Sequence, residues 1–151
     1  MIIFTQNGFP ILRRVDFAVI INKETDYALR ILRALLDGKK HTAVDIAADE
    51  MIPQSFAYQI LRKLSKAGFI RVSRGQDGGC ELNCNLSDVS LYELTAAVNG
   101  VCHVASCTED GYSCPWRQSN GVCLIHNQLS GIQKRLDAEL KSVSLQQLMN
   151  G

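Results

Sequence analysis

Apolar residues recur at helical spacing in three successive stretches of the chain. Over 24–37 they lie three and four residues apart, which predicts an amphipathic helix with one buried face. Shorter helices are predicted over 43–50 and 54–67, separated at Ile52-Pro53 because proline suits only the first turn of a helix. The apolar side chains expected to face inward are Tyr27, Ala28, Ile31, Leu32, Leu35, Leu36, Ile46, Ala47, Phe56, Ile60, Leu61 and Leu64.

The pattern changes from helical to alternating after the third helix. Phe69–Ser73 alternates as a strand, a glycine-rich tip follows, and Cys80–Cys84 can return as a second strand. Two helices joined by a tight turn and followed by a β-hairpin predict a winged helix-turn-helix. In such a wing, Gly75 and Gly78 would let the backbone approach a sugar-phosphate groove, and Arg74 would enter the minor groove.

The remaining chain is predicted to form a helix over Leu91–Asn99, a loop and a long last helix over 124–145. The predicted fold is therefore mainly α with a small β-hairpin wing: a winged helix-turn-helix domain over 19–99, a cysteine-rich loop over 100–123, and a dimerisation helix with a tail over 124–151. The loop is too long for an idle connector, so we expect something to order it. The last helix carries a narrow apolar stripe that is consistent with packing on a partner helix, namely Ile125, Leu129, Ile132, Leu136, Leu140 and Val143.

Composition and charge narrow the class of protein. Charged residues make up 21% and hydrophobic residues 46% of the chain, which is typical of a folded protein and argues against disorder. The net charge is only +1, but the segment 53–74 holds five basic residues and no acidic one. Such a local positive charge is expected of a chain that offers one face to phosphate, with Arg62 and Lys63 on the outer face of the predicted recognition helix.

The sequence gives no indication of a membrane protein. Its longest apolar run is the five residues from Phe17 to Ile21, too short to span a bilayer. No small-residue cleavage site follows the first apolar stretch, so a signal peptide is not expected and the expected location is the cytoplasm. Residues 1–18 show no sustained apolar period, and we expect them to be weakly packed or disordered.

The six cysteines all lie between positions 80 and 123. In a chain without a secretory signal, such a cluster indicates metal binding or redox chemistry before disulfides. The spacing Cys107-x6-Cys114-x8-Cys123-x2-His126 can hold Zn²⁺ or an iron–sulfur cluster, because both accept soft sulfur together with nitrogen. The long gaps favour a loop around something larger than one ion.

Two other interpretations of these thiols stay open. They could be reduced cysteines buried in a loop, or one could be a nucleophile with His126 as its base. The common catalytic motifs, such as G-x-S-x-G, a phosphate-binding loop or H-E-x-x-H, do not occur in the sequence. We therefore do not expect an enzyme.

From Val19 onward the chain resembles the family of winged-helix transcription regulators that includes IscR, NsrR and CymR. The residues that carry the likeness are D-Y-A-L-R at 26–30, D-I-A at 45–47, L-R-K-L-S-K-A-G-F-I at 61–70, R-G-x-x-G-G at 74–79, A-V at 97–98 and V-S-L at 143–145. The resemblance implies a homodimer whose long C-terminal helices cross. It also implies that the recognition helices and wings bind a palindromic operator in double-stranded DNA.

Carried over by position, Ser55, Tyr58 and Gln59 would face DNA from the recognition helix, with Arg74 from the wing. Tyr58 stands where the IscR-like pattern usually has glutamate. A phenol and a carboxylate contact different base edges, so the resemblance does not transfer an operator sequence. Family members usually begin near Val19, which suggests that residues 1–18 reflect a translation start placed too far upstream.

The resemblance further implies a 2Fe–2S cluster held by Cys107, Cys114, Cys123 and His126. The loop between these ligands is longer here than in the IscR-like pattern. The function expected from all of this is a DNA-binding transcriptional regulator, a repressor, whose operator affinity depends on its iron–sulfur cluster. The alternatives are a regulator of the same family without a cluster, which senses oxidants or a metabolite or binds zinc, and an interaction protein with no DNA role.

Overall fold

The computed structural model describes residues 21–75 and 77–150, with the backbone of four residues nearer the N-terminus. Those four form two short strands, β1 (Ile3–Phe4) and β2 (Pro10–Ile11), which pair antiparallel. Apart from them, the expectations for residues 1–18 and for a start at Val19 fall outside the described residues.

The next elements follow the winged-helix order that the sequence predicts. They are α1 (Lys23–Ala34), α2 (Ala43–Asp49), α3 (Gln54–Lys66), β3 (Ile70–Ser73), β4 (Gly79–Leu82) and α4 (Leu91–Asn99). Side chains cap three of the helices at their N-termini. Asn22 caps α1, Thr42 caps α2, and Ser90 with Glu93 forms a reciprocal capping box on α4.

A single apolar core joins these helices. Its fully buried side chains come mainly from α1, α3 and α4, and include Ile31, Leu32, Leu35, Ile60, Leu64 and Leu94. Two residues predicted to face inward do not. Leu36 lies beyond the end of α1 and is exposed. Phe56 is 43% exposed in the first turn of α3, where its ring packs against the half-buried ring of Tyr27, with centroids 6.0 Å apart.

The wing is a two-stranded antiparallel hairpin anchored to the chain ahead of α2. β3 pairs with β4 from Ile70↔Leu82 to Ser73↔Gly79. Near its tip, the His41 N–H donates to the Cys80 carbonyl at 3.0 Å, and the Cys80 N–H donates to the His41 carbonyl at 2.8 Å. The hairpin is therefore fixed to the helical core through its second strand.

The cysteine-rich segment contains more structure than the predicted loop. A 3₁₀ turn covers Ser106–Thr108, and a short helix, α5 (Pro115–Asn120), begins with proline in the position that suits it. The last long helix, α6 (Leu124–Ser142), stops three residues earlier than predicted. It ends because Val143 is extended, and its carbonyl accepts the Leu91 N–H at 2.9 Å.

The chain then returns to the winged-helix core. Leu145, at the start of α7 (Leu145–Asn150), is fully buried, and its N–H donates to the Val89 carbonyl at 2.8 Å. α6 therefore extends from the cysteine-rich segment at one end to the winged-helix core at the other. Across residues 21–75 and 77–150, no helix is both long and apolar enough to cross a membrane.

Candidate functional site

The exposed face of α3 and the wing enclose one groove of about 730 Å³. Tyr58 and Arg62 of α3 line it, together with Lys66, and Arg74 lines it from the wing. Two other residues predicted to contact DNA, Ser55 and Gln59, are exposed on the same helix. Three basic side chains around one groove give it the charge expected of a surface that faces phosphate.

The wing tip requires glycine at two positions. Gly75 has φ +106°, a conformation that side chains rarely adopt. At Gly78, a Cβ atom would lie 2.7 Å from the Ser73 carbonyl oxygen and 2.8 Å from that of Gly75. The tip is therefore a tight turn whose bare backbone can approach a partner closely.

Lys63 differs from the other residues predicted to contact DNA. Its ammonium donates to the Glu24 carboxylate at 2.8 Å and to the Val98 carbonyl at 2.7 Å. These bonds tie α3 to α1 and α4 and balance the charge of Lys63 within the fold. The structure thus separates Lys63 from the exposed set on α3.

Two of the six thiols belong to the wing, Cys80 within β4 and Cys84 just after that strand. Burial raises the pKa of the Cys80 thiol, and burial followed by the nearby Asp88 carboxylate raises that of Cys84. A raised pKa keeps a thiol protonated, and the protonated form is a poor metal ligand. Both therefore have the character of packed thiols.

The four predicted ligands line a second cavity, of about 550 Å³. Cys107 lies in the 3₁₀ turn, Cys114 precedes α5, Cys123 precedes α6, and His126 is in the first turn of α6. The rest of the wall is largely apolar, with Trp116, Val122, Leu124 and Ile125 among its residues. The structure thus gathers side chains from three separate segments around one space.

His126 is held beside Cys123 and has one ring nitrogen without a partner. The Cys123 Sγ accepts the His126 backbone N–H at 3.4 Å. Nε2 of the ring lies 3.2 Å from Arg117 Nη1 and 3.3 Å from Ser130 Oγ. Nδ1 is buried and makes no hydrogen bond. A buried, unpartnered polar atom in a native fold calls for an explanation, and an absent ligand is one.

The four residues have the chemistry of ligands for a soft metal. Three thiols and an imidazole are suitable ligands for an iron–sulfur cluster or for zinc. A tetrahedral zinc site needs its donors within about 2.0–2.3 Å of one point. Within residues 21–75 and 77–150, however, no three His, Cys, Asp or Glu side chains converge closely enough to hold a metal ion. The donors instead stand around the wall of the cavity.

Gln133 is a residue of this region that sequence analysis missed. It lies in α6, is only 7% exposed, and bonds to the segment that leads into Cys107. The sequence feature that could have pointed to Gln133 is its position seven residues after His126. That spacing places the two side chains on the same face of a helix, two turns apart.

Known proteins similar to this chain are transcription regulators. The family model "Rrf2: Iron-dependent Transcriptional regulator" matches residues 21–151. The chain belongs to the Rrf2 family. It is 31% identical over 115 residues to a Haemophilus influenzae protein named as a candidate HTH-type transcriptional regulator, covering 76% of this chain and 73% of the relative. It is 29% identical over 122 residues to the transcriptional regulator IscR of Vibrio atlanticus, covering 77% and 68%.

A solved structure of an IscR protein has a similar fold. The structure of T. potens IscR matches with a TM-score of 0.65 and 14% sequence identity, covering 90% of each chain. The predicted winged-helix fold and the resemblance to this family are confirmed. As an Rrf2 protein the chain is a DNA-binding transcriptional regulator, and its relatives are named as regulators rather than enzymes. The interpretation of a cysteine as a catalytic nucleophile is not supported.

Proposed function

We propose that this Rrf2 protein is a cytoplasmic, homodimeric repressor whose affinity for a palindromic operator is set by an iron–sulfur cluster of the 2Fe–2S type. Residues 19–99 are the DNA-binding domain, 100–123 the sensor loop, and 124–151 the dimerisation helix and tail. The observation that carries the proposal is the shared cavity of three thiols and the imidazole of His126 at the start of α6.

The cavity offers what such a cluster requires. Thiolates are its usual ligands, and imidazole replaces them in some proteins. The wall includes the apolar side chains of Trp116, Val122 and Leu124, which are largely exposed in the single chain. We assign Cys107, Cys114, Cys123 and His126 as the ligands, and the unpartnered Nδ1 of His126 supports that assignment. When bound, the cluster supplies electron transfer and sensitivity to oxidants.

α6 can transmit the state of the loop to the DNA-binding domain. Its 19 residues span about 28 Å, from Cys123 at the cavity to Ser142. Val143, just beyond, accepts a hydrogen bond from Leu91 at the start of α4. Ordering the loop at one end therefore biases how α6 meets the winged helix at the other, which is a coupling between two sites.

The DNA contacts that we propose come from the groove between α3 and the wing. Ser55, Tyr58, Gln59 and Arg62 contact DNA from α3, and Arg74 contacts it from the wing. Gly75 and Gly78 allow the wing backbone to approach. We leave Lys63 out because its ammonium is bonded to Glu24 and Val98.

The proposed dimer uses the apolar stripe of α6. Ile125 and Ile132 of that stripe are exposed in the single chain, and Leu129, Leu136 and Leu140 are half-buried. A second copy would cover them. Half-sites on one face of DNA lie about 34–36 Å apart, so a modest rotation of the two domains disturbs their register.

The ligand assignment is tested by replacing Cys114. Purified without oxygen, the wild-type protein is expected to be brown and to contain iron and acid-labile sulfide. Cys114→Ala is expected to lose most of the visible absorbance because one cluster ligand is removed. Cys84→Ala, which changes a thiol at the base of the wing, serves as the matched control and is expected to keep the colour.

Iron and sulfide contents that are unchanged in Cys114→Ala would contradict the assignment. Colourless wild-type protein that contains zinc would favour the zinc alternative. Metal-free protein whose DNA affinity changes when a disulfide forms would favour a regulator that senses oxidants through its thiols.

A further inference from the structure

Gln133 is the only residue of α6 that is buried among those the structure describes. Its Oε1 accepts the Val104 N–H at 2.8 Å, and its Nε2 donates to the Cys102 carbonyl at 2.9 Å. Nε2 also donates to the Asp137 carboxylate, one turn further along α6, at 2.8 Å. One amide side chain thus bonds to the backbone of the loop on both its donor and its acceptor side.

A buried amide with this many partners fixes what it touches. Burial of an amide without partners is unfavourable, whereas a fully paired amide stabilises a single arrangement. The hydroxyl of Thr108 also lies 3.4 Å from Gln133 Oε1 and donates to the Ala105 carbonyl at 2.7 Å. Gln133 therefore contacts the loop on both sides of Ala105.

Cys107 lies inside the segment that Gln133 holds. Its 3₁₀ turn ends at Thr108, and the held segment begins at Cys102. Cys123 and His126 are part of α6 itself or of its cap. Only Cys114, beyond the held segment and before α5, has no such attachment to α6 among the bonds described.

We propose that Gln133 is a positioning residue that fixes residues 102–108, and with them the Cys107 thiol, against α6 before any metal is bound. The loop then has a fixed arm, 102–108, and a responsive arm, 109–122. Loss of the metal group changes the second arm and leaves the first in place. The role of Cys107 as a ligand rests on the proposed function, whereas the fixing of the loop by Gln133 does not.

The test compares Gln133→Leu with wild type in metal-free, reduced, full-length protein. The substitution removes both backbone bonds, so the Val104 amide is expected to exchange hydrogen on the order of tenfold faster. Alkylation of Cys107 by N-ethylmaleimide should accelerate relative to that of Cys123 in the same molecules. Gln128→Leu, at an exposed position of the same helix, is the matched control and should change neither rate.

A partial rescue separates positioning from simple packing. Gln133→Glu loses the donor and places a carboxylate beside Asp137, so it should also accelerate exchange at Val104. Adding Asp137→Asn supplies a new donor to that carboxylate and is expected to restore slow exchange at Val104. An apolar packing role would give no such recovery.

Unchanged exchange at Val104 in Gln133→Leu would overturn the proposal. So would faster exchange spread equally over α1 and α3, because that would indicate a general loss of stability. In anaerobic wild-type protein, removal of iron should change exchange within 109–122 and leave 102–108 protected. If the wild type carries no cluster, the proposed function fails, but the Val104 and Cys107 measurements still decide the role of Gln133.

Discussion

The two halves of the molecule are held together in different ways. In residues 21–99, large apolar side chains such as Ile31, Leu64 and Leu94 are completely buried in a shared core. In the segment from 100 to 142, the one buried side chain is the polar Gln133, and Ile125 is 71% exposed. The first half is stabilised by its own apolar core. The second is held by hydrogen bonds to α6, such as those of Gln133 with Val104 and Cys102.

This difference suits a sensor. A segment without an apolar core has a low free energy of local unfolding, so a small ligand can change its order. Among the residues that the structure describes, the apolar core of the DNA-binding half contains no side chain from the loop. The two halves are nevertheless linked, since Leu145 after α6 is buried in the first core.

The largest expected effect is a difference between the two halves in how much a substitution lowers the free energy of unfolding. Leu64→Ala removes a completely buried side chain of α3 and should reduce the free energy of unfolding by about 2–5 kcal/mol. Ile125→Ala in α6 is the comparison and, in protein diluted until it is monomeric, should change the free energy of unfolding by less than about 1 kcal/mol, because that side chain is exposed in the single chain. Urea unfolding at one fixed protein concentration measures both. Equal losses would show that the apolar core extends into α6.

A smaller effect is expected on DNA binding, with no change in folding. Arg74→Ala removes an exposed charge from the groove, so stability should stay within about 0.5 kcal/mol. If Arg74 contacts phosphate, the slope of log affinity against log salt should fall by about one unit. Arg135→Ala, an exposed arginine of α6, is the control and should leave the slope unchanged. An unaltered binding isotherm for Arg74→Ala would exclude the wing from the interface.

The first half of the molecule was largely predictable from sequence because local signals and the core agree there. The first three helices start where the sequence predicts, or within one residue of it. The signals were helical periodicity, the cap at Thr42 and the break at Pro53. Phe56 has the right spacing for the core but lies in the first turn of α3, at the margin of the core. Periodicity predicts which face of a helix points towards the core, but not whether other residues cover that face along its whole length.

The second half was less predictable because its order depends on contacts between distant residues. The end of α6 follows from the bond between Val143 and Leu91, which no local pattern indicates. The hydrogen bond from Lys63 to Glu24 joins residues that are 39 positions apart in the chain, so it could be recognised only from the packing of α3 on α1. The four predicted ligands line one cavity, but their role as ligands stays a prediction, and their spacing alone leaves open which group they would bind.

The smallest expected effect concerns the cap of α4, where the two halves meet. The Ser90 backbone N–H donates to Glu93 Oε2 at 2.8 Å and the Ser90 hydroxyl at 2.7 Å, and these bonds lower the pKa of Glu93 below its usual range. The ionised carboxylate therefore adds stability at neutral pH, and this contribution is lost as the pH falls through the lowered pKa. Because Glu93 is exposed to water, Glu93→Gln should reduce stability at pH 7 by only about 0.5–1 kcal/mol.

That difference between Glu93→Gln and wild type should disappear in acid, where both side chains are neutral. Urea midpoints at pH 7 and below the usual range for glutamate measure it, with Glu139→Gln on exposed α6 as the control that should show no such loss. A difference that persists at low pH would mean that the shape of the cap, and not the charge of Glu93, stabilises the junction.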